Sequence, residues 1–67
     1  MKLTKKEQKA QDARINRLYC QNCSGLEINV LDISKVFREG YRLIAEGADD
    51  AALGAGLLAF TQQLARN

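Results

Sequence analysis

Apolar and polar positions fall into two regular stripes over the second half of the chain. Ile33, Val36, Phe37, Gly40, Tyr41 and Ile44 recur at alternating steps of three and one, while Lys35, Arg38, Glu39, Arg42 and Glu46 occupy the other positions. That is the one-faced pattern of an amphipathic helix with 3.6 residues per turn. A second stripe runs through Leu53, Gly56, Leu57, Phe60 and Leu64, widened by Gly54, Ala55, Leu58 and Ala59. Gly47-Ala48-Asp49 separates the two: the glycine suits a left-handed C′ position and Asp49 suits the N-cap of the helix that follows. The pattern predicts helices over residues 30–46 and 50–66 joined as a hairpin, with Asn29 or Asp32 capping the first of them.

The first third of the chain reads differently. Thr4-Lys5-Lys6-Glu7 fits a capping box, and good helix formers continue to Tyr19, which predicts a helix over residues 4–20. Its opening turns are almost wholly polar, and only Ile15, Leu18 and Tyr19, with Ala10 and Ala13, offer packing surface. Asn22, Ser24 and Gly25 carry turn chemistry. Leu26, Ile28 and Val30 then alternate with Glu27 and Asn29, a strand-like period with no second strand to pair with. Residues 26–30 are therefore expected as a short extended segment laid over the helices. The fold class expected is all-α: a single domain spanning residues 1–67, with a polar N-terminal helix and a C-terminal helical hairpin.

Two readings concern packing. Gly40 lies inside the stripe, and an interior glycine costs about 1 kcal/mol relative to alanine, so another backbone is expected to approach there. The last helix is apolar around so much of its circumference that a polar first helix does not look able to cover it, which points to a second copy of the chain. Size argues the same way: at 67 residues one core supplies roughly 3–5 kcal/mol of net stability, so association is the simplest support. The residues expected at such an interface are Ile33, Val36, Phe37, Tyr41, Leu53, Leu57, Phe60 and Leu64.

With 46% hydrophobic and 27% charged residues the chain lies in the globular range. Its net charge of +2 is small, but residues 1–17 carry +4 and the remainder −2, so the chain is electrically polarised. No apolar run follows the basic N-terminus, and the apolar-rich residues 51–59 fall far short of the roughly 20 needed to cross a bilayer. A cytoplasmic location without membrane association is expected, with thiols kept reduced.

Chemistry-bearing patterns are few. Cys20 and Cys23 have the CxxC spacing of zinc knuckles and dithiol sites, but structural zinc takes four ligands and the chain has two cysteines and no histidine. A zinc site would need two chains sharing one ion or carboxylate ligands such as Glu27, and a redox dithiol would need a thiol pKa depressed as at a helix N-terminus, whereas this pair sits where a helix ends. Both cysteines are read instead as small packing residues beside Tyr19. Lys2, Lys5, Lys6, Lys9, Arg14 and Arg17 could follow a phosphate backbone, although Glu7 and Asp12 interrupt them. Asp49-Asp50 suit a helix start better than an acid–base pair, and Gly54-Ala55-Gly56 lacks the phosphate-loop pattern and suits close helix packing. Neither a catalytic group nor a cofactor is expected. The reading is a non-catalytic helical module that binds another protein or inhibits a larger macromolecule and associates with itself as a dimer. The competing readings are a nucleic-acid-binding regulator and a zinc or dithiol site between subunits.

Overall fold

The computed structural model describes residues 3–66. Three helices make up the body: α1 over Lys5–Asn22, α2 over Ile33–Ala45 and α3 over Asp50–Arg66, with a 3₁₀ turn at Val30–Asp32 leading into α2. Among the described residues there is no strand, and the C-terminal hairpin is formed as expected. The expected helix over residues 30–46 divides, because its first turn is the 3₁₀ segment. The Asn29 side-chain oxygen accepts from the Leu31 amide at 3.0 Å, while Asp32, which precedes α2, makes no side-chain cap.

Local signals account for the helix ends. The Glu7 amide donates to Thr4 Oγ1 at 3.1 Å and the Thr4 amide donates to Glu7 Oε1 at 3.3 Å, which closes the capping box at the start of α1. At the hairpin, Gly47 has a φ of 90°, where a side chain would be strained. The Ala48 amide donates to the Leu43 carbonyl and the Gly47 amide to that of Ile44, so the last carbonyls of α2 are satisfied by a Schellman motif. Asp49 then caps α3, its carboxylate accepting from the Ala52 amide at 2.9 Å.

The core is built by all three helices. Ile15 and Leu18 of α1 meet Val36 of α2 and Leu53 and Leu57 of α3, with Phe37, Tyr41, Ile44, Phe60 and Leu64 partly buried around them. Gly40 is the notch that lets α1 close on α2: a Cβ there would stand 2.8 Å from both Cδ1 and Cγ1 of Ile15. The occupant is a side chain, not the approaching backbone expected from sequence. Two further notches lie on α3, where Gly54 receives the Asn22 amide group and Gly56 receives Leu43. The Gly54-Ala55-Gly56 cluster thus serves packing on two sides of one helix.

Coverage of α3 corrects a second expectation. Because glycine notches bring the neighbouring helices close, the few apolar residues of α1 suffice to bury Leu53 and Leu57 completely. The apolar residues that α3 leaves exposed are Ala51, Ala52, Ala55, Ala59 and Ala65, whose side chains present little apolar area, while Leu58, Phe60 and Leu64 are partly buried. The circumference of α3 therefore supplies no argument for a second copy. Thr61 is fully buried, and its hydroxyl has no hydrogen-bond partner among the described residues.

Candidate functional site

The most exposed large apolar side chains lie on the 3₁₀ turn. Val30 is 80% exposed and Leu31 77%, on a segment whose neighbours Ile28 and Ile33 are half-buried. The turn is firmly built. Besides the Asn29 cap, the Asp32 amide donates to the Asn29 carbonyl at 2.8 Å, and the Ser34 hydroxyl donates to the Leu31 carbonyl. A Lys35–Asp32 ion pair of 3.1 Å spans the join to α2. A tight i to i+3 turn whose Leu31, Asp32 and Ile33 amides are paired holds Val30 and Leu31 outward.

Beside these two side chains lies a groove of about 380 Å³ between the connecting segment and the end of α3, lined by Glu27, Ile28, Asn29, Asp32, Lys35, Leu64 and Ala65. Its floor holds the partly buried Ile28 and Leu64, and its rim carries both signs of charge. Sequence reasoning read Val30 as a cover for the helices, by extension of the Leu26–Ile28 alternation. Leu26 and Ile28 do turn inward, but the 3₁₀ turn breaks that period and carries Val30 outward. Leu31 had a signal of its own, since it lies off the α2 stripe.

Of the expected interface residues, Val36, Leu53 and Leu57 are at most 1% exposed and are covered by their own chain. No partner can touch them, because α1 already does. Ile33, Phe37, Tyr41, Phe60 and Leu64 are partly exposed. Of the apolar surface expected on the helical stripes, only the part at the rim of the bundle is therefore left accessible.

The basic residues of α1 divide into two groups. Arg14 Nε donates to Asp50 Oδ1 at 2.7 Å and its Nη2 to the Ala48 carbonyl at 3.2 Å, while Arg17 Nη2 meets Asp50 Oδ2 at 3.0 Å. Both arginines tie α1 to the start of α3. A shallow groove of about 470 Å³ lies beside this tie, with Arg17, Leu18, Asn22, Asp50 and Gly54 among its lining residues. Lys5, Lys6 and Lys9 are exposed, on a stretch of α1 where every residue from Lys5 to Ala10 is exposed. Lys2 lies outside the described residues.

The two cysteines also separate. Both are free thiols; Cys23 is 3% exposed at the C-cap of α1, whereas Cys20, one turn earlier, faces solvent. The packing account holds for Cys23 and fails for Cys20, since α1 runs on to Asn22 and turns the earlier cysteine outward. Burial holds the Tyr19 phenol above its ordinary pKa, and negative charge on Cys23 and Cys20 pushes in the same direction. Among the described residues no group of three or more histidine, cysteine, aspartate or glutamate side chains is placed to hold a metal ion. On the outer face of α2, Arg42 lies between Glu39 and Glu46, and its hydrogen bond holds the Glu39 carboxyl below the ordinary range.

No protein-family model matches this chain, and comparison with curated proteins and with solved structures likewise finds no match. Among the described residues no helix is long and apolar enough to cross a membrane.

Proposed function

We propose that this chain is a small, non-catalytic helical interaction module that associates with itself through the 3₁₀ turn before α2. The observation that carries the reading is the exposure of Val30 and Leu31 on a turn whose hydrogen bonds hold them in place. Burying an exposed Val or Leu side chain is worth about 1.5–3 kcal/mol, and a two-fold contact buries each of them twice. In a chain whose own core is so small, such a gain is comparable with the net stability of the fold. Leaving the pair in water forgoes that gain, and a rigid turn loses little conformational freedom on docking. The remaining surface, including the Arg42–Glu39–Glu46 face, stays open to a larger protein that the assembled module would bind or inhibit.

Sedimentation equilibrium across the micromolar range tests this directly. The expected result is a concentration-dependent shift from the 7.4 kDa chain to twice that mass. A single 7.4 kDa species throughout would overturn it.

One observation favours a second reading. Lys5, Lys6 and Lys9 stand on an exposed length of α1, which suits a basic arm lying along a phosphate backbone. Such binding would retard a nucleic acid in a low-salt gel, and Lys5→Glu with Lys9→Glu would abolish the retardation. Absence of any shift for the native chain at low salt removes the idea.

A further inference from the structure

Cys20 and Cys23 are a chemistry-bearing pair that self-association leaves unused. Both are free thiols at the C-terminal end of α1; Cys20 faces solvent, and Cys23 is 3% exposed at the C-cap. Helix geometry sets their separation. Cα atoms three residues apart on a helix stand about 5 Å from each other, inside the roughly 4.4–6.8 Å that a disulfide spans. The Cβ atoms of such a pair are about 5–6 Å apart, whereas a disulfide holds them at about 3.5–4.5 Å. A bond is within reach, provided that its two ends are drawn together by about 1–2 Å. Charge on either thiol is felt at the Tyr19 phenol, so both sulfurs share the neighbourhood of that ring.

Unequal burial gives the two thiols different roles. We propose that Cys20 and Cys23 form a redox switch, in which exposed Cys20 captures a low-molecular-weight disulfide such as oxidised glutathione and buried Cys23 resolves it as an intrachain disulfide. In the first step the Cys20 thiolate attacks one sulfur of the oxidant, whose S–S bond breaks, and one glutathione leaves as its thiolate. In the second the Cys23 thiolate attacks the Cys20 sulfur, the mixed disulfide breaks and the other glutathione leaves. The protein thiols give up two electrons and two protons. The electrons reside on the two departing glutathione sulfurs, and the protons pass to those thiolates or to solvent.

The surrounding structure indicates which end yields. The Cys23 amide donates to the Tyr19 carbonyl at 2.8 Å, and the Cys23 carbonyl accepts from the Leu26 amide at 3.1 Å in a turn through Gly25. Gly25 has a φ of 92°, and a Cβ there would meet nothing within 4 Å. With open space beside that turn, the C-cap moves more readily than Cys20, which lies inside the helix. Movement withdraws Cys23 from its buried place and pulls on its hydrogen bond to Tyr19. Asn22, between the two cysteines, seats against Gly54, so the change passes to the contact between α1 and α3. A loop of four residues returns little closure entropy, and a bond that strains its surroundings is readily reduced again. The C-terminal end of a helix gives a thiolate no electrostatic help, so the pair suits a slow stoichiometric response and not catalytic turnover.

The native chain carries the main test. Reduced protein is exposed to oxidised glutathione, alkylated with N-ethylmaleimide in denaturant, and weighed by mass spectrometry. The expected product is a single chain lighter by two hydrogen atoms and bearing no alkyl group, which dithiothreitol returns to a form that takes up two. In that product the Cys23 amide should exchange about tenfold faster than in the reduced chain, while the amides of Ile15 and Leu18 keep their rates. Two variants, with helix content checked by circular dichroism, test the order of attack. Cys23→Ser should stop at the mixed disulfide, and Cys20→Ser should react with glutathione about a hundredfold more slowly than the native chain, because a buried thiol waits for local opening. A native chain that stays reduced, stops at the mixed disulfide or links to a second chain overturns the proposal. An intrachain disulfide with unchanged exchange at Cys23 overturns the switch, and equal reactivity of the two variants overturns the division of roles.

Discussion

The two halves of α1 have the same backbone and are held by different forces. From Lys5 to Ala10 no residue is buried, and the helix is maintained by the Thr4–Glu7 capping box and by residues of high helix propensity. From Arg14 to Asn22 the helix is locked from three sides: Ile15 fills the Gly40 notch, Asn22 fills the Gly54 notch, and Arg14 and Arg17 reach Asp50. One half is helical because of what it is, the other because of what it touches. Helix content alone therefore says little about which part of the chain is stable, and perturbations in the two halves should differ in kind as well as size.

The largest effect is expected at Ile15. It is fully buried, and Ile15→Ala should cost about 2–5 kcal/mol in urea denaturation, since both the transfer term and the cavity count against it. Gly40→Ala alone should also destabilise. The new methyl stands 2.8 Å from two carbons of the fully buried, β-branched Ile15, and an overpacking cost of about 1–3 kcal/mol exceeds the gain of about 1 kcal/mol in helix propensity. Combining the two should cost less than their sum, because each change relieves the other: the alanine at position 40 fills part of the space that Ile15 vacates. Strict additivity would show that the notch and the isoleucine are not partners, and the contrast between the halves of α1 would lose its principal support.

Thr4→Ala probes the other half, at a smaller size. Loss of an N-cap costs about 1 kcal/mol of helix stability. Here the cost should remain local, because the turns it supports do not contact the core. Amide exchange of residues 7–9 should accelerate by about fivefold, that cost expressed as a rate, while the urea midpoint moves little. If the midpoint falls by the full amount instead, the first half of α1 is coupled to the bundle and the division drawn here is misplaced.

How much of this was legible beforehand follows the same division. The capping box, the left-handed Gly47 and the Asp49 cap were all readable, because each is a local arrangement of a few adjacent residues with one physical meaning. The α2 stripe was readable for the same reason of fixed period. What escaped was non-local. Nothing within α1 reveals that Ile15 and Leu18 suffice to cover α3, since that depends on how closely Gly40 and Gly54, distant in sequence, allow the helices to approach. Hence Val36, Leu53 and Leu57 were assigned to a surface although they form the core. Val30 was misread by a sound local rule, strand-like alternation, which the 3₁₀ turn interrupts. Arg14 and Arg17 looked like free charge because their partner, Asp50, lies more than thirty residues away.

The smallest effect expected marks the boundary between the halves. Asp50 accepts from both Arg14 and Arg17, but the carboxylate is 57% exposed and the arginine side chains 30% and 55%, so solvent screens both pairs. Exposed pairs of this kind contribute about 0.2–1 kcal/mol, and a negative charge in the first turn of α3 adds about 0.3–1 kcal/mol through the helix dipole. Asp50→Asn should accordingly lower stability by about 1 kcal/mol, near the low end of the summed contributions because solvent screens all of them, with the native-minus-variant difference shrinking steadily as salt is added. At about 1 M salt the screening length is roughly 3 Å, and little of the difference should survive. The bond from Arg14 Nη2 to the Ala48 carbonyl is untouched by the substitution, so α1 keeps one polar attachment at the hairpin, and the packed half should still begin at Arg14. Slow amide exchange that starts there in both proteins would show that packing of Ile15 sets the boundary and the ion pairs only decorate it. A boundary that retreats toward Leu18 in Asp50→Asn would assign the role to the ion pairs.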